Sequence, residues 1–338
     1  MSSEEQVEPD GLVMRVRPVD HPVAAAEEAD AADAARRYAH YIIRGPVFGL
    51  AAHTPGETGW RMVEPAVEGF PQASRDALNS YLWLKAKDDT DDPVVRRELL
   101  AAVARLEQEP LDELTVCGVR YRVVRAEEYV YSNEDGLEPP RPADRDALVL
   151  DWDGSPDEPE VDQDFVMDHS AVTGVVAGSE RLALRELHYR SERYPADVRA
   201  DSRRALETHP GTVVLPAAFR VVERTEDGWE PFSMIVATPH AARRTLVTAL
   251  TEMWPRMRKL TPQEKAEYDR VAARFQAAGR ANELSVHDRR FFVVRVGRMV
   301  RFGLDGPEPP RPSDIDPYGP SKIRPTMDEH GTITYSEE

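Results

Sequence analysis

Cysteine is almost missing from this 338-residue chain. Cys117 stands alone, so neither an internal disulfide nor a Cys-rich metal module can form. That suits a reducing compartment, and the expected localisation is cytoplasmic. Long apolar runs are missing too. None approaches the roughly 18 residues of a membrane span, so no membrane partner is expected. The opening MSSEEQVEPDG is acidic, lacks an apolar centre and does not read as a signal peptide. Positive charge is short: 43 Lys and Arg against 61 Asp and Glu give a net charge of −18. Such a chain repels a phosphate backbone or an anionic lipid surface but permits a basic protein partner. Lysine is rarest, five residues against 38 arginines, which with the abundant alanine points to a GC-rich genome.

The known reaction motifs are also absent. There is no G-x-S-x-G elbow, P-loop or G-x-G-x-x-G turn. The nine histidines form no H-E-x-x-H or other ligand spacing, so no metal and no cofactor is expected.

What is present is a repeat. ELTVCGVRYRVVRAEEYVYSNEDGLEPPRPADRD from Glu113 aligns without a gap to ELSVHDRRFFVVRVGRMVRFGLDGPEPPRPSDID from Glu283, with 17 identities in 34 positions. Upstream, Pro46 and Gly59-Trp60 answer Pro216 and Gly228-Trp229, and Pro71, Arg75, Leu78 and Leu82 answer Pro239, Arg243, Leu246 and Leu250. The chain therefore reads as a tandem duplication of a small α+β unit. The boundaries are an acidic tail 1–20, repeat unit 1 at 21–146, an acidic linker and connection 147–190, repeat unit 2 at 191–316 and a polar tail 317–338.

Each unit reads in one order. A helix comes first, about Ala24 to Ile43 and Ala196 to Glu207. A strand follows near Val47–Ala52 and Ala217–Arg224, then a second strand beginning at the Trp. Two proline-led helices come next, Pro71–Lys87 and Pro93–Gln108 in unit 1, Pro239–Met257 and Pro262–Gly279 in unit 2. A hairpin through Val116 and Val123, or Val286 and Val293, leads into a proline arm, Glu138-Pro-Pro-Arg-Pro142 or Glu308-Pro-Pro-Arg-Pro312. The expected fold is a mostly antiparallel sheet with helices on one face, the two units packed about a pseudo-twofold axis.

Residues 134–168 carry thirteen acids against two arginines and read as a solvated linker. Asp151, Asp153, Ser155, Asp157 and Asp162 fall at calcium-loop spacings, but Pro156 stands where the turn glycine belongs. Cys117 is answered by His287, so the repeat does not keep it, and it reads as an incidental thiol. Arg243-Arg244 and Trp254-Pro-Arg-Met-Arg-Lys259 make a local basic face that could meet a phosphate, although a surface face or an intramolecular partner for the acids is the plainer reading.

The charged residues kept in both units are more telling. They are Arg120/Arg290, Arg125/Arg295, Arg141/Arg311, Glu138/Glu308, Asp144/Asp314 and Asp146/Asp316, with Trp60/Trp229 beside them. One reading is structural: strand arginines pair with arm carboxylates and pin the polyproline segment across the sheet. The other makes the six arginines a ligand groove for an anionic group or for a partner's acidic segment.

PVAAAEEADA at Pro22, RYRVVRAE at Arg120 and DGPEPPRPSDIDPYGP at Asp305 resemble an actinobacterial, Streptomyces-type family of unknown function. Its members sometimes carry a PE-PGRS label, whose glycine-rich repeats are missing from this chain, with 19 glycines. The resemblance implies a bacterial cytoplasmic protein and transfers no site residue. The leading expectation is a non-enzymatic interaction or regulatory protein. The alternatives are an enzyme or small-molecule binder with an anionic-ligand site at the seam between units, and a nucleic-acid factor using the basic helix.

Overall fold

The computed structural model describes residues 14–154 and 158–335. Its first half contains β1 (Arg15–Val16), α1 (Pro22–Arg37), β2 (His40–His53), β3 (Trp60–Glu68), α2 (Pro71–Asp88), α3 (Pro93–Leu106), β4 (Glu113–Val116) and β5 (Val119–Ser132). A connection carries β6 (Val166–Met167), β7 (Val172–Thr173) and α4 (Val175–Arg185). The second half follows the order of the first: α5 (Ala196–Thr208), β8 (Gly211–Val214), β9 (Ala218–Thr225), β10 (Gly228–Pro231), α6 (Pro239–Thr248), α7 (Trp254–Met257), α8 (Pro262–Ala278), β11 (Glu283–Val286) and β12 (Arg289–Gly303). Three short strands close the chain, β13 (Gly306–Pro307), β14 (Thr326–Met327) and β15 (Ile333–Thr334).

Local chemistry explains these elements. Proline opens α1, α2, α3, α6 and α8, where its missing N–H is not needed. Asp92 caps α3 through the Val94 amide, and Thr261 and Glu264 form a capping box on α8. A π-turn, Ala249–Met253, joins α6 to α7 next to Pro255, which has no N–H for the usual helical bond. The first helix ends at Arg37 rather than near Ile43. Ile42 and Ile43 lie in β2 opposite Val130 and Tyr129, as their β-branched side chains favour.

One antiparallel sheet runs through both halves, in the order β10-β9-β12-β5-β2-β3-β6. The halves meet where β5 pairs with β12, with Glu127 opposite Met299, Glu128 opposite Arg298 and Tyr129 opposite Gly297. Side chains alternate between the faces. Leu50 and Tyr121 meet α2 and α3, while Phe219, Phe291 and Val293 meet α6 and α8. These helices cover one face, as the sequence suggests. The other face is a core common to both halves, built from Trp60, Met62, Val124, Val294, Val300 and Phe302.

The acidic linker is less solvated than its composition predicts. Val161 and Phe165 pack on the common core, and Asp162 is buried. Its carboxylate accepts from Arg298 at 2.6 and 2.8 Å and from the Ala66 amide at 3.1 Å. Arg298 has no exposed surface, so a counter-charge must be brought to it, and the linker supplies one. Ser155, Pro156 and Asp157 of the calcium-loop spacing lie outside the described residues. β6 then pairs with β3, Met167 opposite Trp60.

Candidate functional site

The two proline arms cross over. Arg125 of β5 binds Asp314 of the second arm, Nε to carboxylate oxygens at 2.9 and 3.1 Å, and its amide donates to the Glu308 carbonyl at 2.9 Å. Arg295 of β12 binds Asp144 of the first arm at 3.0 Å, and its amide donates to the Glu138 carbonyl at 3.0 Å. Farther along, Asp316 accepts from the Gln72 amide and pairs with Arg75 of α2, while Asp146 accepts from the His240 amide and pairs with Arg243 of α6. Within each arm, the Arg141 and Arg311 amides donate to Asp144 and Asp314 at 2.7 Å, closing the turn. Each arm thus grips the half that did not produce it.

The second arm is tightly seated. Glu127 lies between two guanidiniums, accepting from Arg125 at 2.6 Å and Arg311 at 3.2 Å, while its other oxygen accepts from the Tyr189 hydroxyl at 2.6 Å. Burial pushes the Glu127 carboxyl up, but Arg125, Arg311 and the Tyr189 bond outweigh it and hold the group at about 2. At the arm's root, the Asp305 carboxylate takes hydrogen bonds from Arg120 and Arg122, which hold it well below the usual carboxylate range. Gly306, at φ +121°, lies flat against Trp60. A β-carbon there would fall 2.7 Å from the indole.

The first arm is seated more loosely. In the 34-residue alignment Gly297 takes the position of Glu127, so no carboxylate arises from β12 at this place. The Tyr129 ring fills the gap, so close that a β-carbon on Gly297 would lie 2.2 Å from it. The Tyr129 hydroxyl donates to Glu180 of α4 at 2.9 Å. Arg295 hydrogen-bonds through Nε to Asp144, and Arg141 through Nε to Glu138 at 2.6 Å; among the described residues the terminal nitrogens of both have no hydrogen-bond partner. Burial works against the Arg295 charge, but Asp144 and Glu138 outweigh it and raise its pKa.

Arg295 and Arg141 line a cleft of about 780 Å³ between α1, α4, the first arm and the linker. Eight of its 24 lining residues are acids, against three arginines. Glu28 is committed to the N-terminal amides of α4, Asp30 to the Ala143 amide and Asp162 to Arg298. Glu27, Glu160 and Asp164 have no ion-pair partner among the described residues, and nor does the exposed Arg145. A smaller cavity of about 330 Å³ opens along the same arm, beside Gly136 and Trp229.

All six arginines singled out from the sequence sit in ion pairs. Arg120 meets Glu113 and Asp305, Arg290 meets Glu283, Arg125 meets Asp314 and Glu127, and Arg295 meets Asp144. Arg141 meets Glu138, and Arg311 meets Glu308 and Glu127. The structure brings Arg125 and Arg311 together around Glu127, and Arg141 and Arg295 along one cleft. Arg120 and Arg290 lie apart from the cleft, on the hairpins. Sequence reasoning passed over Glu127, Gly297, Tyr189 and Glu180. Only Glu127 and Gly297 carried a signal, one of the 17 mismatches in the 34-residue alignment; Glu180 and Tyr189 lie outside it.

Arg243 is buried against Asp146 and Asn282, and Arg244 pairs with Glu158, so both leave the basic face read from the sequence, while Arg256, Arg258 and Lys259 stay exposed. Cys117 forms a two-residue turn with Gly118, both at positive φ. Burial and nearby Glu98 push its thiol pKa up, away from the thiolate a nucleophile needs. Among the described residues no group of three His, Cys, Asp or Glu could hold a metal, and no helix is long and apolar enough to cross a membrane.

No curated protein and no solved structure matches the chain. Residues 21–317 match DUF5954, described as a family of unknown function, and the chain belongs to that family.

Proposed function

We propose that this chain is a duplicated, non-enzymatic interaction protein that takes a basic segment of a protein partner into the cleft beside its first arm. The observation that carries the reading is the cleft itself, about 780 Å³ with Glu27, Glu160 and Asp164 uncommitted on its walls. A net charge of −18 adds long-range attraction for a basic partner. The reading includes descent by tandem duplication, with the copies packed about a pseudo-twofold axis between Glu128 and Arg298. Its support is the register: these residues are 170 apart, the offset of the repeat, and stand opposite each other. The reciprocal arms agree with it. The lone cysteine supports a cytoplasmic site of action, and the arginine-rich, lysine-poor composition supports an actinobacterial origin.

The test is co-purification from the native cell with wild-type protein and with Glu27→Lys/Glu160→Lys. A stoichiometric partner held by the wild type and lost by the variant is expected. Equal recovery, or no partner with either, contradicts the reading.

A small-molecule binder with an anionic group at the seam is the second reading. It is favoured by the terminal guanidinium nitrogens of Arg295 and Arg141, and by a cleft volume in the range of ligand pockets, roughly 300–1,000 Å³.

A further inference from the structure

The two arm sites are chemically matched except for one group. In the second-arm site, the Glu127 carboxylate joins Arg125 to Arg311 and is held by the Tyr189 hydroxyl. The first-arm site has the same arginines, Arg295 and Arg141, and the same arm carboxylates, Asp144 and Glu138. It lacks the bridging carboxylate because Gly297 stands where Glu127 would. Glu180 keeps its bond to Tyr129 and hydrogen-bonds neither arginine. On this side Arg295 and Arg141 line a cleft; on the other, Arg125 and Arg311 are buried around Glu127.

We infer that the cleft receives the carboxylate of a ligand between Arg295 and Arg141, in the role that Glu127 plays between Arg125 and Arg311. Paired guanidinium donors suit a carboxylate in geometry as well as charge. The uncommitted acids Glu27, Glu160 and Asp164 then set the rest of the ligand. They repel a second negative charge and attract a positive one, so the ligand is a zwitterion with surplus cationic character. A free basic amino acid and the C-terminus of a basic peptide share this chemistry. The inference rests on the cleft being the binding site and adds what it recognises.

The test is calorimetric titration of the full chain with L-arginine, L-argininamide, agmatine, glutarate, and the tripeptide Ala-Lys-Arg as free acid and as C-terminal amide. The free acids that carry positive charge are expected to bind. The amides and agmatine, which lack the carboxylate, are expected to bind at least tenfold more weakly, as is glutarate, which lacks the cation. A tripeptide that outbinds arginine marks a peptide terminus as the source, and the reverse order marks the amino acid. Gly297→Glu/Tyr129→Met writes the second site's pair, Glu127 and Met299, into the first and is expected to abolish binding with a cooperative melt retained. Should that variant not fold, Arg141→Gln removes one guanidinium from the cleft and is expected to weaken binding at least tenfold. Amides that bind as well as acids overturn the inference, as does a folded variant that binds like wild type or the absence of binding by every probe. If amides and acids bind alike and Glu27→Lys/Glu160→Lys weakens both, the carboxylate inference falls while the cleft reading stands. If that variant changes neither, both fall.

Discussion

Arg125 on β5 donates from Nε to both carboxylate oxygens of Asp314, 189 residues farther along the chain, at 3.1 and 2.9 Å. The pair is nearly dry, with 2% and 5% of the two side chains exposed. Its counterpart, Arg295 with Asp144, is wetter on the arginine side, at 18%. Removing Asp314 leaves a buried guanidinium short of a partner, so Asp314→Ala is expected to cost about 3–5 kcal/mol. Asp144→Ala, beside the cleft where water can replace the lost oxygen, is expected to cost less, on the order of 1–2 kcal/mol. Urea denaturation of the two variants measures the asymmetry.

Acid should loosen the second arm. The Glu127 carboxyl is held at about 2, below its ordinary value near 4.5. A depressed carboxyl gives stability that is complete above the unfolded value and is lost as pH falls from there through about 2. Glu127→Gln is therefore expected to destabilise at neutral pH and to flatten the acid limb of the stability profile between those values. Denaturation midpoints measured from pH 7 to pH 2 check both signs.

The linker is anchored by charge at its centre. Asp162→Ala strands Arg298 in the common core and is expected to cost about 3–5 kcal/mol. It should also speed proteolysis between residues 158 and 165. Replacing both partners, as Asp162→Leu/Arg298→Met, removes the stranded charge and is expected to recover most of the loss.

β2 and β3 approach closely at Gly49. A β-carbon there would lie 2.8 Å from the Ala66 backbone and 2.9 Å from the Glu64 carbonyl, atoms that cannot swing aside. Gly49→Ala is expected to cost about 1–3 kcal/mol through overpacking, read as a lowered melting temperature.

The repeat made much of this legible. Proline-led helices and β-branched strands fall within a few residues of their sequence positions because cap and alternation are local signals. Pairing of Arg125, Arg141, Arg295 and Arg311 with arm carboxylates was legible as chemistry, whereas Arg120 and Arg290 pair with Glu113 and Glu283 of their own hairpins. Which arm meets which arginine was not, because the arms of 138–146 and 308–316 have the same sequence pattern and fit either half. Asp162 was misread for a related reason: composition marks an acidic run as solvated, and only packing reveals that Arg298 lies beneath it. The site was hidden in a difference. Similarity drew attention to the residues both segments share, while the two arm sites differ at Gly297, which stands where Glu127 would and makes room for the Tyr129 ring.

The exchange of arms is tested most directly by two double-mutant cycles, Arg125→Met with Asp314→Ala and Arg125→Met with Asp144→Ala, measured by chemical denaturation. Arms that cross between halves predict a coupling of about 1–3 kcal/mol between Arg125 and Asp314 and none between Arg125 and Asp144. Coupling to Asp144 instead would place each arm on its own half and contradict the account.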